Sequence, residues 1–186
     1  MQDRNYYYFG ATLPSVTYDD NPPMSSEEFR ELCCDHLHED DAALLQYCCY
    51  DPKLTVETEQ ATASDFIDYL LIWERTLNLN LAFLRAGKLK RPSPQDPPHD
   101  VLRAEEAAKA AFEMDDPLEA TLHIDRSRWE ALDDMVGVDT FGVNNIYAYL
   151  MRLQLLERRQ RFDAERGAAN YKELYDSILD NYNSKV

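Results

Sequence analysis

Glycine is scarce. Five in 186 residues leaves little material for phosphate-cradling loops or a turn-rich all-β fold. Long apolar runs are missing too: none approaches the roughly 18 residues a spanning helix needs. The opening MQDRNYYYFG has neither the basic start nor the apolar stretch of a signal peptide. These absences predict a cytoplasmic protein with no direct membrane insertion. Positive charge is also short, with 19 Lys and Arg against 35 Asp and Glu, a net charge of −16. A field of that sign repels phosphate backbones and anionic lipid surfaces, so nucleic acid is an unsuitable partner.

What basic charge there is comes late. Residues 1–60 carry 13 acids and 3 bases, 61–120 carry 11 and 7, and 121–186 carry 11 and 9. Such a gradient lets the chain pair its own ends or meet partners of opposite sign at each. The length suits one domain or two small ones. RPSPQDPPHD, with four prolines in ten residues, admits no helix and is the natural boundary. It divides an N-terminal lobe, 1–91, from a C-terminal lobe, 99–186, through a linker at 92–98.

The periodic segments are helical. SSEEFRELCCDHLHED opens on Ser25 three residues before Glu28, a capping box, and places Phe29, Leu32, Cys33 and His36 on one face. DDAALLQYCCY predicts a short helix ending before Pro52. From an N-cap at Ser64, the residues Phe66, Leu70, Trp73, Leu77, Leu81 and Leu84 form a narrow stripe on a helix of about 22 residues, with Gly87 as its C-terminal cap. DVLRAEEAAKAAFEM predicts another helix. Asp116, Pro117 and Glu119 fit Ncap, N1 and N3 of the next, which DRSRWEALDDMVG continues with Trp129 and Leu132 inward. A second long helix spans Val143 to Arg166 and buries Ile146, Tyr149, Leu150, Leu153, Leu156 and Phe162. AANYKELYDSILDNY makes the last. Only LTVETEQAT, 54–62, alternates like a strand. The expectation is an all-α multi-helix bundle, its two long helices framing two helical lobes.

Three constellations could carry chemistry. The doublets Cys33–Cys34 and Cys48–Cys49 lie near His36 and His38, but zinc usually takes C-x2-C knuckles, and adjacent helical cysteines point about 100° apart. They read as four buried, reduced core residues. DHLHEDD, 35–41, superficially suggests a metal-dependent hydrolase. Such sites draw ligands from several helices, and matching partners are missing, so a solvated polar helix end is the plainer reading. LERRQRFDAERG sets Arg158, Arg159, Arg161 and Arg166 among Glu157, Asp163 and Glu165. It is either a solvated face held by i,i+4 pairs or a dock for a carboxylate-bearing partner, since guanidinium groups bind acids bidentately.

YYYFGATLP, PPMSSEEFRELC, DPLEATLHIDRSRWEALD and YLMRLQLLERRQRFDAERG together resemble the landmarks of a bacterial family encoded among the subunits of V/A-type ATPases. The aromatic opening followed by an acidic helical segment is also similar to the start of the C-type subunit of these ATPases (d-type in eukaryotes), an all-helical funnel that couples the central stalk to the membrane ring. That funnel is roughly twice as long, so a lobe would be missing here. The resemblance implies a non-catalytic subunit or assembly factor that docks on or couples V/A-type ATPase subunits, peripheral to the membrane through that complex. The basic pattern of LERRQRFDAERG and the resemblance together put partner binding at Arg158, Arg159, Arg161, Arg166, Tyr6 and Tyr7, with no catalytic residue, metal or cofactor. The resemblance also places Tyr6, Tyr7, Tyr8 and Phe9 against later helices, with two or three rings buried and one left at a groove. A metal-dependent hydrolase and a general cytosolic adaptor remain as alternatives.

Overall fold

The structure is a computed structural model that describes residues 6–50, 62–92, 101–138, 141–162 and 175. It is all-α, with no strand among the described residues. In order come α1 (Tyr7–Thr12), α2 (Ser26–His36), α3 (Glu39–Leu44) running into a 3-10 turn (Leu45–Tyr47), α4 (Asp65–Lys88), α5 (Ala104–Glu113), α6 (Pro117–Val136) and α7 (Val143–Gln160). The candidate strand at 54–62 falls, up to residue 61, outside the described residues. So do the linker beyond Pro92 and, apart from Tyr175, the final helix.

Side chains close the helix starts as their chemistry requires. Ser25 accepts from the Glu28 amide, and Glu28 returns a carboxylate oxygen to the Ser25 amide at 2.8 Å; the resulting hydrogen bonds hold the Glu28 pKa below its ordinary value. Ser64 caps α4 and Asp116 caps α6 ahead of Pro117. The helix ends depart further from expectation. Gly87 lies inside α4, whose cap is Leu89. α6 runs unbroken through both predicted pieces to Gly137, whose φ of 58° favours glycine although a Cβ would have room. α7 stops at Gln160, where the Arg161 amide turns back onto the carbonyls of Arg158 and Arg159.

α7 is buried nearly all round: Ile146, Tyr147, Ala148, Tyr149, Leu150, Met151, Leu153, Leu155 and Leu156 are inaccessible or nearly so. A helix apolar on every side belongs at the centre. Around it Phe9, Phe29, Cys33, Phe66, Ile67, Leu70 and Leu132 complete the larger core. A smaller core sets Trp73, Leu77 and Leu81 of α4 against Ala104, Ala107 and Ala108 of α5 and Ala131 of α6. The alanines let α5 lie close on α4. Both cores draw residues from both sides of the proline-rich segment. Trp73 Nε1 donates to the Leu102 carbonyl at 3.2 Å, fixing the turn before α5, where Leu102 and Arg103 take positive φ.

Several expected core positions are at the surface. Leu32, His36 and Phe162 are exposed, and Leu84 is only half-buried. Of the four opening aromatics only Phe9 is buried; Tyr6 is half-buried, while Tyr7 and Tyr8 are 48% and 86% exposed. A six-residue helix lying on the surface has one inward face, and four successive residues circle it. Phe9 stacks 4.6 Å from the His36 ring and 6.1 Å from Phe29, and its burial contributes about 1.5–3 kcal/mol.

Leu132→Ala and Leu150→Ala, each emptying a fully buried site, are expected to lower unfolding free energy by about 2–5 kcal/mol in urea titrations. The same change at exposed Leu89 should shift it by less than about 0.5 kcal/mol.

Candidate functional site

The chemistry-bearing side chains gather where α4, α6 and α7 meet. Arg128 on α6 gives Glu74 of α4 a two-pronged pair, Nε to Oε1 at 2.7 Å and Nη2 to Oε2 at 2.9 Å, and sends Nη1 to Asp125 at 2.8 Å. Asp125 is 1% exposed, and its second oxygen lies 3.2 Å from Arg158 Nε, an ion pair not aligned for a hydrogen bond. Two carboxylates thus meet two guanidiniums. Burial pushes the Asp125 carboxyl above its ordinary pKa, against the pull of Arg128 and Arg158. Burial alone would lower Arg128, but the Glu74 charge and hydrogen bonds raise it, so it stays cationic. Tyr50 covers the cluster with its ring 5.0 Å from Arg128. Its hydroxyl is buried without a hydrogen-bond partner among the described residues, and burial then Glu74 keep it protonated.

The predicted docking arginines separate in role. Arg158 leans on Asp125. Arg159 hydrogen-bonds to the Tyr18 carbonyl, pairs with Asp19 at 3.2 Å and covers the Tyr18 ring at 5.2 Å. It therefore clamps the segment before α2. Arg161 is exposed and has no partner among the described residues. Arg166 lies outside the described residues. A cleft of about 500 Å³ opens beside Arg158 and Arg161, with Ser26 and Arg30 of α2, Tyr50, Gln154, Glu157 and Phe162 around it. Arg30, which sequence reasoning missed, donates to the carbonyls of Leu45 at 2.7 Å and Cys48 at 2.9 Å and pairs with no carboxylate among the described residues. No local spacing could have linked residue 30 to residue 158.

Tyr6 and Tyr7 lie away from that cleft. The Tyr6 hydroxyl donates to the buried Asp41 carboxylate and accepts from the His38 amide at 3.2 Å, so it joins α1 to α3. Tyr7 packs 4.7 Å from Phe141 and 5.6 Å from Tyr8, forming an exposed aromatic group. The histidines of 35–41 have local roles: His36 Nδ1 lies 2.9 Å from the Leu32 carbonyl, and His38 caps α3. Among the described residues no group of three or more His, Cys, Asp or Glu is arranged to hold a metal.

The four cysteines are free, but they are not all core residues. Cys33 and Cys48 are buried, Cys34 is exposed and Cys49 is half-buried. α2 buries only the line through Phe29 and Cys33, so Cys34, about 100° further round, faces out, while Cys48 and Cys49 follow the 3-10 turn. Burial pushes the Cys33 and Cys48 thiols up to about 12.

The architecture defines an all-helical protein, and among the described residues no helix is long and apolar enough to cross a membrane. Over residues 101–182 the chain is similar to a family described as a protein of unknown function, DUF2764. No curated protein and no solved structure matches it.

Removing Arg128 alone, as Arg128→Met, strands the buried Glu74 carboxylate and leaves Asp125 with Arg158 only, and is expected to cost about 3–5 kcal/mol in urea unfolding. Adding Glu74→Gln and Asp125→Asn should recover part of that loss, because buried amides are less costly than unpaired charges. In thiol labelling at pH 8, Cys34 should react first, and Cys33 and Cys48 only on unfolding, since the thiolate is the reacting form.

Proposed function

We propose that the protein is a non-catalytic helical docking or coupling element of a V/A-type ATPase. The reading is supported by the sequence landmarks that resemble a family encoded among those subunits. The observation that carries the docking role is Arg161, an exposed cation without a described partner at the end of α7, beside Arg158 and Arg30, in a protein of net charge −16. Cations left available on so acidic a surface suit carboxylates on another protein. A hydrolase built on 35–41 has less support, because Tyr6 and the local helix ends already engage His36, His38 and Asp41. The docking face narrows from the four arginines: Arg159 serves the fold, and Arg158 is shared with Asp125.

Affinity capture of the tagged protein from its native cells is expected to recover V/A-type ATPase subunits. Recovery should fall as salt is raised from about 0.1 to 0.5 M, because exposed ion pairs are screened. Capture of no ATPase component at low salt would sink this reading.

A further inference from the structure

The cleft between α2 and the end of α7 is basic in a protein that is otherwise strongly acidic. Among the described residues its charged lining is Arg30, Arg158 and Arg161 against Glu157, an excess of two positive charges, or of one once Arg158 is set against Asp125, where the whole chain carries −16. The cations differ usefully. Arg30 is half-buried and held by two backbone carbonyls, so its guanidinium is fixed in place with N–H donors left over. Arg161 is exposed and unpartnered among the described residues, so it can close over whatever enters. Phe162, 42% exposed, and the Tyr50 ring supply apolar wall.

We infer that this cleft receives an acidic segment of a partner protein, with carboxylates on Arg30 and Arg161 and an apolar side chain against Phe162. Glu157 decides against a compact dianion. Its carboxylate already accepts the Ser26 amide at 2.6 Å and the Ser26 hydroxyl at 2.8 Å, and it stays in the lining as a fixed negative charge. Phosphate brings two charges close to it, whereas a peptide can distribute single carboxylates around it. A nucleic acid would meet the repulsion of the whole surface. The inference rests on the docking reading for its cleft and for the exposed Arg161, and is independent of it in not requiring the partner to be an ATPase subunit.

The test is fluorescence anisotropy of a labelled hexaglutamate with the purified full chain at about 50 mM salt. Saturable binding is expected. Arg161→Glu should weaken it about tenfold, the scale of one lost charge-assisted contact. Arg75→Glu changes net charge equally at an exposed α4 position outside the lining, and should alter binding by less than about twofold. No saturable binding, or equal losses in the two variants, overturns the inference. So does displacement by inorganic phosphate at matched ionic strength, which would make the cleft a phosphate site, or preferred binding of a labelled oligonucleotide. If ATPase capture succeeds and hexaglutamate fails, the cleft assignment alone is wrong. If the peptide binds and no ATPase component is captured, only the ATPase reading falls.

Discussion

Arg128 is the constraint around which the helices are arranged. A guanidinium 10% exposed between α4 and α6 is tolerable only when its donors are matched, and Glu74 and Asp125 match them from two helices at hydrogen-bonding distance. The geometry is demanding. A one-residue rotation of α6 against α4 would withdraw the fork and leave charges of both signs desolvated, so the network fixes how these helices face each other even if its net contribution to stability is small. Asp125 then reaches α7 through Arg158, which extends the same register to the central helix.

α7 in turn holds the early chain along its length. Its apolar sides take Phe29 through Tyr149, at 4.8 Å between rings, while its polar positions fasten the backbone that leads into α2. The Tyr149 hydroxyl donates to the Pro14 carbonyl at 3.0 Å, Arg159 reaches Tyr18 and Asp19, Gln160 reaches Asn21, and Glu157 accepts from Ser26. Glu157 also lies at the first turn of α2, where the helix dipole favours an anion. Tyr18 is the other anchor, its ring between Arg126 and Arg159 and its hydroxyl on the Leu122 carbonyl. The opening aromatics follow from this. Phe9 anchors α1 on α2, and Tyr6 reaches α3, so the segment is held without burying Tyr7 or Tyr8.

Local chemistry was legible in the sequence, and distant pairing was not. Ser25 with Glu28, Ser64 and Asp116 announced helix starts because each acts within three residues of itself. The stripe from Phe66 to Leu81 announced the buried face of α4 because helical period converts directly into direction. Helix ends and charge roles depend on what lies across the fold. Arg158 and Arg159 look alike in sequence, yet one meets Asp125 and the other Tyr18 and Asp19, residues supplied from elsewhere in the chain. Cys34 was a different kind of error. A step of 100° allows joint burial where a helix is covered broadly, as at Ala107 and Ala108 of α5, and Cys34 is exposed because α2 is covered only along the line through Phe29 and Cys33.

In sequence LERRQR reads as either a solvated face or a dock, and the fold divides its charges by how much each is already engaged. Arg159 is committed on both its guanidinium and its flat face, Arg158 is tied to a buried carboxylate, and only Arg161 is exposed without a described partner. An exposed cation alone would bind any anion weakly. Beside it the fold places Arg30, immobilised by carbonyls that leave its charge uncancelled, and Glu157, which penalises anions of the wrong shape. Specificity at such a site comes as much from the fixed negative group as from the positive ones. The surrounding acidic surface repels polyanions at long range, so at physiological salt a partner binds more tightly than a plain run of carboxylates when it adds apolar contact at Phe162.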